Sequence, residues 1–340
     1  MSLRAVVSIV GAICMLSLTS CYSSTTVTTH EDYTAEDLTG RTTATLPTLD
    51  PQPIVAKATS TLPATVRSQD GTDVTITDTS RIVAADRYGT LAQTVYALGL
   101  GDRLVGRNTA AAFPAIDKVP NVTPAGNTLS TEAILDLRPT VFLTDSTIGP
   151  DAVQKQLRDA GIPVVFFDPT RTMEGVGPQI DAVAAALGVP EQGKALRERT
   201  QSEIDAAAKD VPAHETPLKI AFLYLRGPAI TMIAGPGSGA DSLIKAVGAE
   251  DAGTASGLTQ QFVPITSEAL IAAAPDAFLM MTDGLESIGG EDGLAKIPGV
   301  AQTPAGKNKR VIDMADSVLL SFGPNTGHVV AALAKAIYHQ

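Results

Sequence analysis

One pattern of apolar and polar positions occurs twice along the chain, over residues 131–143 and again, 136 positions later, over 267–279. Each copy begins with an apolar-periodic turn, continues through a proline and ends in an apolar, β-rich run. Ser130 and Thr266 stand where N-caps are expected, so each copy predicts a short helix followed by a buried strand. The repeat therefore predicts two α/β lobes built on one plan.

One acidic residue occupies the same position in both copies, as Glu132 in the first and Glu268 in the second. A carboxylate in the first turn of a helix is favoured by the helix dipole, which gives these residues a purely local explanation. Their repetition on two lobes favours a second explanation. In that interpretation, a partner holds the molecule from both sides at once.

The remaining pattern is an alternation of strands and helices. Strands are predicted at 81–85, 104–106, 140–144, 163–168, 218–225, 277–279 and 311–314, and helices at 88–98, 151–160, 240–247 and 326–339. Gly99 and Gly161 close the first two of these helices. A helix-forming stretch over 174–210 predicts one long helix after Pro190. We expect an α/β fold with two similar lobes of mostly parallel sheets, residues 78–175 and 213–340, joined by a rigid helical segment over 176–212.

The start of the chain predicts its compartment. Arg4 precedes an apolar stretch over residues 6–18, and Leu18-Thr19-Ser20-Cys21 has the form of a lipoprotein cleavage site. We therefore expect a signal peptide over 1–20 and acylation of Cys21 with fatty acids that include palmitate. The lipid would anchor the protein on the extracytoplasmic face of the cell membrane. The alternative is a plain secretory signal in which the cysteine is incidental. Residues 21–77, rich in Thr, Ser and Pro, predict a disordered tether.

Charge and missing motifs exclude several function classes. The chain has 25 Lys and Arg against 36 Asp and Glu, a formal net charge of −11, which disfavours nucleic acid as a partner. The glycine-rich segment 235–239 lacks the Gly-Lys-Ser/Thr of a phosphate loop. No Gly-x-Ser-x-Gly elbow is present, so we expect no enzyme and assign no catalytic residue.

The lipobox, the paired Glu repeats and the stiff connecting helix resemble cluster A (class III) substrate-binding proteins of ABC importers, a periplasmic-binding-protein family that carries cobalamin, ferric siderophores and heme. The resemblance covers about residues 78–340. It implies that Glu132 and Glu268 dock on arginines of a membrane permease, which works with a cytoplasmic ATPase. We expect this protein to act there as a monomer.

A narrower resemblance comes from residues 222–227, Phe-Leu-Tyr-Leu-Arg-Gly, followed by a glycine-rich turn and Ala-Asp-Ser-Leu-Ile at 240–244. This stretch is similar to hemin-binding lipoproteins of the HmuT type, particularly those of corynebacteria. The resemblance implies heme as the transported ligand, Tyr224 as an axial ligand of its iron and Arg226 as the support of Tyr224. Ferric iron favours an anionic phenolate, and a nearby guanidinium stabilises that anion. Surface receptors or hemoglobin are the expected heme source.

One departure from that family concerns the sixth iron position. The family places a second axial ligand, a His, shortly before the first Glu repeat, where this chain has Asn127. A neutral amide is a poor iron ligand. Three accounts remain open: heme held by Tyr224 alone, heme with another ligand such as Met232, or a different cargo. His328 at the start of the last helix is the remaining substitute, since His30 lies in the tether and His214 and His339 are expected to face solvent.

Two other functions compete with heme capture. A ferric siderophore or cobalamin receptor would use the same scaffold, and a siderophore receptor would bind anionic chelate oxygens through arginines such as Arg81, Arg107 and Arg226. Aromatic residues make up 4% of the chain and Trp is absent, which disfavours stacking on a catecholate. A purely structural envelope lipoprotein would explain the anchor and tether but not the paired Glu repeats.

Overall fold

The computed structural model describes residue 33 and residues 38–338 of the 340-residue chain. The expectations for the signal peptide, Cys21, His30 and His339 lie outside these described residues. Within them, no helix is at once long enough and apolar enough to span a bilayer.

The strands and helices alternate along most of the described chain. The strands are β1 Arg41–Ala44, β2 Ala64–Arg67, β3 Asp73–Ile76, β4 Ile82–Ala85, β5 Leu104–Arg107, β6 Val141–Asp145, β7 Val164–Phe167, β8 Lys219–Arg226, β9 Ile230–Ala234, β10 Glu250–Asp251, β11 Phe262–Pro264, β12 Ala277–Met281 and β13 Val311–Met314.

The helices range from 4 to 20 residues in length. They are α1 Thr90–Val95, α2 Thr131–Asp136, α3 Asp151–Asp159, α4 Val176–Ala186, α5 Pro190–Lys209, α6 Ala240–Ala246, α7 Ala252–Ala255, α8 Ser267–Ala273, α9 Thr282–Ser287, α10 Gly290–Leu294, α11 Pro304–Asn308, α12 Asp316–Leu319 and α13 Thr326–Tyr338. A π-type turn over Tyr96–Leu100 continues α1, and single 3-10 turns cover Gly101–Arg103, Pro114–Ile116 and Val300–Gln302.

Two sheets form the framework of the molecule. The first has four parallel strands in the order β5-β4-β6-β7. The second has the order β1-β13-β12-β8-β9-β11, with β10 pairing to the start of β8, and only the β8–β9 and β9–β11 pairs are antiparallel. Helical crossovers between parallel strands produce this arrangement. The predicted α/β fold with mostly parallel sheets is confirmed.

The internal repeat extends to the details of the backbone. Ser130 Oγ accepts a hydrogen bond from the Ala133 amide at 3.2 Å, and Thr266 Oγ1 accepts one from the Ala269 amide at 3.1 Å. These caps satisfy amides that have no partner inside the helix. Both predicted N-caps are therefore present, at the start of α2 and of α8.

The two repeat helices also end in the same way. Arg138 and Ala274, which occupy equivalent positions, both have a positive φ, of 44° and 42°. Each precedes a proline, and proline disfavours the right-handed helical conformation in the residue before it. The left-handed conformation costs a non-glycine residue about 1 kcal/mol. The same costly turn thus directs the chain from helix to strand in both lobes.

The segment 38–77 differs from the predicted disordered tether. β1 pairs in parallel with β13 and extends the second sheet, and β2 and β3 form an antiparallel hairpin. The Arg41 Nε atom lies 2.8 Å from Asp313 Oδ1, which ties β1 to the neighbouring strand. Threonine suits an edge strand, but a Thr-rich segment with isolated apolar residues carries no sustained period along the sequence. The predicted boundary at residue 77 is therefore wrong for this part of the chain.

The connection between the sheets consists of two helices rather than one. α4 ends before Gly188, whose φ is +68°, and α5 begins at Pro190 as predicted and is about 30 Å long. α5 packs against both α4 and α13. A single buried apolar cluster contains side chains from both sheets and from α5, including Val165, Ile312 and Leu196. Such a shared core resists large hinge motions between the lobes.

Gly99 provides a test of how the segment around Val55 packs. Its φ is +81°, and a Cβ atom added there would lie 2.6 Å from the Val55 carbonyl oxygen. Gly161 has nearly the same φ, +80°, and no atom within 4 Å of an added Cβ. We predict that Gly161→Ala lowers the free energy of unfolding by about 1 kcal/mol, the cost of the backbone conformation alone. Gly99→Ala should cost roughly 1–3 kcal/mol more because Val55 must move.

Urea unfolding of the two variants beside the unsubstituted protein measures this difference. Equal losses in the two variants would show that the Val55 segment does not pack against Gly99.

Candidate functional site

A cavity of about 600 Å³ lies where the carboxyl ends of the two sheets approach each other. Arg87 and Tyr88 follow the end of β4, and Asp316 follows the end of β13. The volume falls within the usual range of small-molecule and cofactor sites. In open α/β sheets, ligands bind at the carboxyl ends of the strands. The cavity therefore stands where this fold type places its ligand.

Residues of both lobes line the cavity. The first lobe contributes Arg87, Tyr88, Thr109, Ala110, Ala112, Gly126 and Asn127, and the second contributes Tyr224, Arg226, Met232, Phe262, Met281, Asp283, Asp316, Ser317 and Leu320. The walls thus combine aromatic and aliphatic side chains with a few charged groups. A largely apolar ligand with a small number of anionic groups fits such a lining.

Tyr224 and Arg226 share one face of β8, as their spacing predicts. The Arg226 guanidinium carbon lies 4.7 Å from the centre of the Tyr224 ring, in the geometry of a cation–π contact. Phe262 packs edge-to-face against the same ring, with centroids 5.9 Å apart. The tyrosine ring is therefore fixed from two sides, while the half-buried side chain contributes to the cavity wall.

Asp316 holds Arg226 in place, a contact that was not anticipated from the sequence. Arg226 Nη2 lies 2.7 Å from Asp316 Oδ2 and 3.3 Å from the Met281 sulfur. The Asp283 amide donates to the other oxygen of Asp316 at 2.9 Å. Burial raises the pKa of Asp316. An acidic residue two positions after the end of the predicted strand 311–314 was the available signal in the sequence.

A buried ion cluster supports the opposite wall. Arg171 Nη2 lies 2.7 Å from Asp145 Oδ2 and 3.2 Å from Asp86 Oδ2, and all three side chains are almost fully buried. Asp86 also accepts a hydrogen bond from the Thr90 amide at 3.0 Å, which caps α1. The Arg171 guanidinium carbon lies 5.2 Å from the centre of the Tyr88 ring. Tyr88, which sequence reasoning missed, is thereby held in the cavity wall.

Burial raises the pKa of Asp86, and the neighbouring Asp145 acts in the same direction while Arg171 opposes it. A single arginine thus stabilises two buried carboxylates. Asp145 and Asp283, which end equivalent strands, are not brought together, because Asp145 lies in this cluster and Asp283 lies in the cavity wall.

The structure separates the other predicted site residues. Asn127 and Met232 line the cavity. His328 is exposed on α13 and is not among the lining residues, so it is not brought to the site. Glu132 and Glu268 are exposed on α2 and α8, also outside the lining.

Three other predicted positions differ from the expectation. Arg81 donates to the Leu137 carbonyl and Arg107 to the Ile116 carbonyl, and neither arginine lines the cavity. His214 is half-buried rather than solvent-facing, because it packs in a cluster with two aromatic rings. Its ring centre is 4.0 Å from that of Tyr33 and 5.1 Å from that of Tyr338.

The described residues contain no group of three or more His, Cys, Asp or Glu arranged to hold a bare metal ion. Tyr224 and Met232, two residues considered as iron ligands, line the cavity. Asn127, which stands where the resembled family has a histidine ligand, lines it too. A metal enclosed in its own macrocycle needs only one or two protein ligands.

Comparison with known proteins gives a consistent result. The model of the family described as periplasmic binding protein matches residues 85–318. The solved structure of the heme binding protein HmuT is 38% identical, with a TM-score of 0.87 over 91% of this chain and 100% of that one. The periplasmic heme-binding protein RhuT from Roseiflexus sp. RS-1, in its apo form, is 36% identical, with a TM-score of 0.71 over 76% of this chain and 98% of that one.

A relative found by sequence similarity points the same way. The uncharacterized ABC transporter substrate-binding lipoprotein YvrC of Bacillus subtilis (strain 168) is 27% identical over 288 residues, which cover 82% of this chain and 87% of that protein. The family and these neighbours are binding proteins rather than enzymes.

The buried ion cluster and the Arg226–Asp316 pair should respond differently to loss of their arginine. Arg171→Met leaves two buried carboxylates without a counter-charge, and we predict that it lowers the free energy of unfolding by about 3–5 kcal/mol at neutral pH. Arg226→Met removes a partly exposed pair, with side chains 35% and 22% exposed, and should cost about 1 kcal/mol or less.

Unfolding in urea at several pH values measures both effects. A carboxyl whose pKa is raised in the folded state binds its proton more tightly there, so stability increases as the pH falls through that pKa. The deficit of Arg171→Met should therefore shrink toward acid pH. A small, pH-independent loss would show that Arg171 does not balance the charge of a buried carboxylate in this cluster.

Proposed function

Because the chain belongs to the periplasmic binding protein family, we propose that it captures ferric heme outside the cytoplasmic membrane and delivers it to an ABC importer. Heme is cargo here and takes part in no reaction. The observation that carries the proposal is the Tyr224–Arg226 pair, placed in the wall of an interlobe cavity of about 600 Å³.

The chemistry of this pair suits heme iron. A phenolate is a hard anionic ligand of the kind that ferric iron favours, and the guanidinium beside the ring stabilises negative charge on it. Structures of the neighbour HmuT also include variants in which a histidine, a tyrosine or an arginine is replaced by alanine. The tyrosine and the arginine replaced there are two positions apart, which is also the spacing of Tyr224 and Arg226. This agreement supports roles for both residues in heme binding.

The sixth iron position faces the first lobe in this proposal. Met232 is the direct cross-strand partner of Tyr224 in the β8–β9 ladder. Cross-strand partners lie side by side on one face of a sheet, so the Met232 sulfur approaches heme from the same side as Tyr224. The Met232 side chain would therefore pack against the heme macrocycle rather than bind iron opposite Tyr224. Asn127 lines the cavity from the other lobe and leaves Tyr224 as the single protein ligand.

The charges of the cavity favour heme over a ferric siderophore. Of the three arginines considered for a siderophore, only Arg226 lines the cavity, and Asp316 already neutralises it. Asp283 adds a further acidic group to the wall. A polyanionic chelate would meet these carboxylates, whereas heme brings only two propionates on a largely apolar ring, and Arg87 in the first-lobe wall is placed to meet one of them. Ferric siderophore or cobalamin binding remains the alternative function.

The rest of the proposal concerns location and partners. Lipid on Cys21 would hold the protein at the extracytoplasmic face of the membrane, and heme would come from surface receptors or hemoglobin. Glu132 and Glu268, exposed on equivalent helices of the two lobes, would dock on the permease, whose ATPase drives uptake.

Tyr224→Phe removes the proposed iron ligand and keeps the ring that Arg226 and Phe262 contact. We predict that hemin affinity falls roughly hundredfold, and that the phenolate charge-transfer band of the ferric complex disappears. Hemin titration followed by absorption spectroscopy measures both. Tyr88→Phe is the matched control, since it changes a tyrosine on the opposite wall and should keep the spectrum. An unchanged affinity and spectrum in Tyr224→Phe would remove Tyr224 from the site.

Asn127→His tests the sixth position. A histidine there supplies an imidazole, a common axial ligand of heme iron, on the side opposite Tyr224. We predict that the ferric complex changes from a high-spin to a low-spin spectrum. Retention of the high-spin spectrum would show that Asn127 does not face the iron.

A further inference from the structure

Large apolar side chains are exposed at a repeated position. Among the described residues, four such side chains are exposed: Val55 at 37%, Leu135 at 39%, Ile230 at 44% and Ile271 at 45%. Leu135 and Ile271 are 136 positions apart, which is the spacing of the internal repeat. The same unusual exposure thus occurs at one place in each lobe.

Each of these side chains follows a repeat glutamate by three positions. Residues i and i+3 of a helix are neighbours on its surface, so Glu132 and Leu135 share one face of α2. Glu268 and Ile271 share the equivalent face of α8. We call Glu132–Leu135 and Glu268–Ile271 the docking pairs.

Neither Leu135 nor Ile271 belongs to the buried apolar clusters of the described residues. Ile134 and Leu270, the residues directly before them, are fully buried and attach the two helices to the lobes. Leu135 and Ile271 keep 39% and 45% of their surface exposed to water. An exposed aliphatic side chain gains nothing for the isolated fold, but it contributes to binding once a partner covers it.

Both helices are held firmly beneath the docking pairs. The Arg81 guanidinium donates to the Leu137 carbonyl at 2.9 Å and to the Arg138 carbonyl at 3.1 Å, which fixes the end of α2. After α8, Asp276 Oδ2 accepts from the Lys219 amide at 2.9 Å, and the Asp276 amide donates to the Lys219 carbonyl. A surface fixed in advance loses little freedom when a partner binds.

We propose that each lobe docks on the membrane permease through its acid and apolar residue together, and that the permease presents to each docking pair a cationic side chain beside an apolar pocket. This inference rests on the proposed function, because it names the contact surface of the receptor's partner. Since the docking pairs are repeated, the partner must offer two like surfaces.

The glutamate and the aliphatic residue of a docking pair contribute differently to binding. Burial of an aliphatic side chain is worth roughly ten- to a hundredfold in a binding constant, whereas an exposed ion pair is worth about fivefold or less. Charges mainly steer approach and orientation, and salt screens them. Leu135 and Ile271 therefore supply most of the affinity, and Glu132 and Glu268 supply its salt dependence.

The other exposed apolar residues do not share this arrangement. Ile230 is the ladder partner of Arg226 at the rim of the ligand cavity. Val55 has no repeat counterpart and is followed by Lys57 rather than accompanied by a glutamate. Val55 thus provides a matched control of similar exposure.

The test uses the full-length chain in three variants: Leu135→Ser with Ile271→Ser, Glu132→Gln with Glu268→Gln, and Val55→Ser. The affinity of each variant for the hemin permease–ATPase complex, purified from the organism that produces this protein, is measured over a range of NaCl concentrations. Each measurement is made with and without hemin. Hemin uptake is measured in cells that produce each variant in place of the unsubstituted protein. Hemin titration and thermal unfolding of each variant check ligand binding and folding.

We expect the Leu135/Ile271 variant to dock roughly hundredfold more weakly at every salt concentration, about tenfold for each site, and to support little uptake. The Glu132/Glu268 variant should lose affinity mainly at low salt, and Val55→Ser should behave like the unsubstituted protein. All three should bind hemin normally.

Normal docking by a folded Leu135/Ile271 variant would overturn the proposal, while hemin binding and the proposed function would stand. Failure of the unsubstituted protein to bind hemin would instead count against the proposed function. The docking affinities measured without hemin would still show whether the docking pairs contact the permease.

Discussion

Two mostly parallel sheets end against one shared cavity, and the fixed distance between them determines what the cavity can hold. α5 packs on helices of both lobes, and one apolar cluster passes between the sheets. Hydrogen bonds reinforce this junction, since the Gln93 side chain donates to the Ser317 carbonyl at 2.7 Å. With little hinge motion available, the ligand must fit a preformed space. Ion pairs behind each wall then fix Tyr88 on one side and Tyr224 on the other.

The internal repeat separates two roles of the surface. The repeated elements α2 and α8 carry equivalent glutamates and equivalent exposed aliphatic residues, and both lie outside the cavity lining. The ligand side is asymmetric, because Tyr224 and Arg226 lie on the β8–β9 hairpin, which has no counterpart in the first sheet. A symmetric outer surface suits a partner with two like halves. An asymmetric cavity suits a ligand whose two faces are bound differently.

The sequence predicted features that are encoded locally. The repeat, the caps at Ser130 and Thr266, the start of α5 and the shared face of Tyr224 and Arg226 all follow from spacing within one element. Contacts between distant residues were missed: Arg226 and Asp316 are 90 positions apart, and Arg171 and Asp86 are 85 apart. β1 was missed because its pairing with β13 comes from tertiary structure, not from an apolar period.

The central claim is that ferric heme lies in this cavity with Tyr224 on its iron. A crystal structure of the protein with hemin, with anomalous data collected at the iron edge, tests it most directly. The account predicts an iron peak inside the cavity, bonded to the Tyr224 hydroxyl oxygen, with no side chain of Met232 or His328 bonded on the opposite side. An iron peak outside the cavity, or one bound by a residue other than Tyr224, would contradict it.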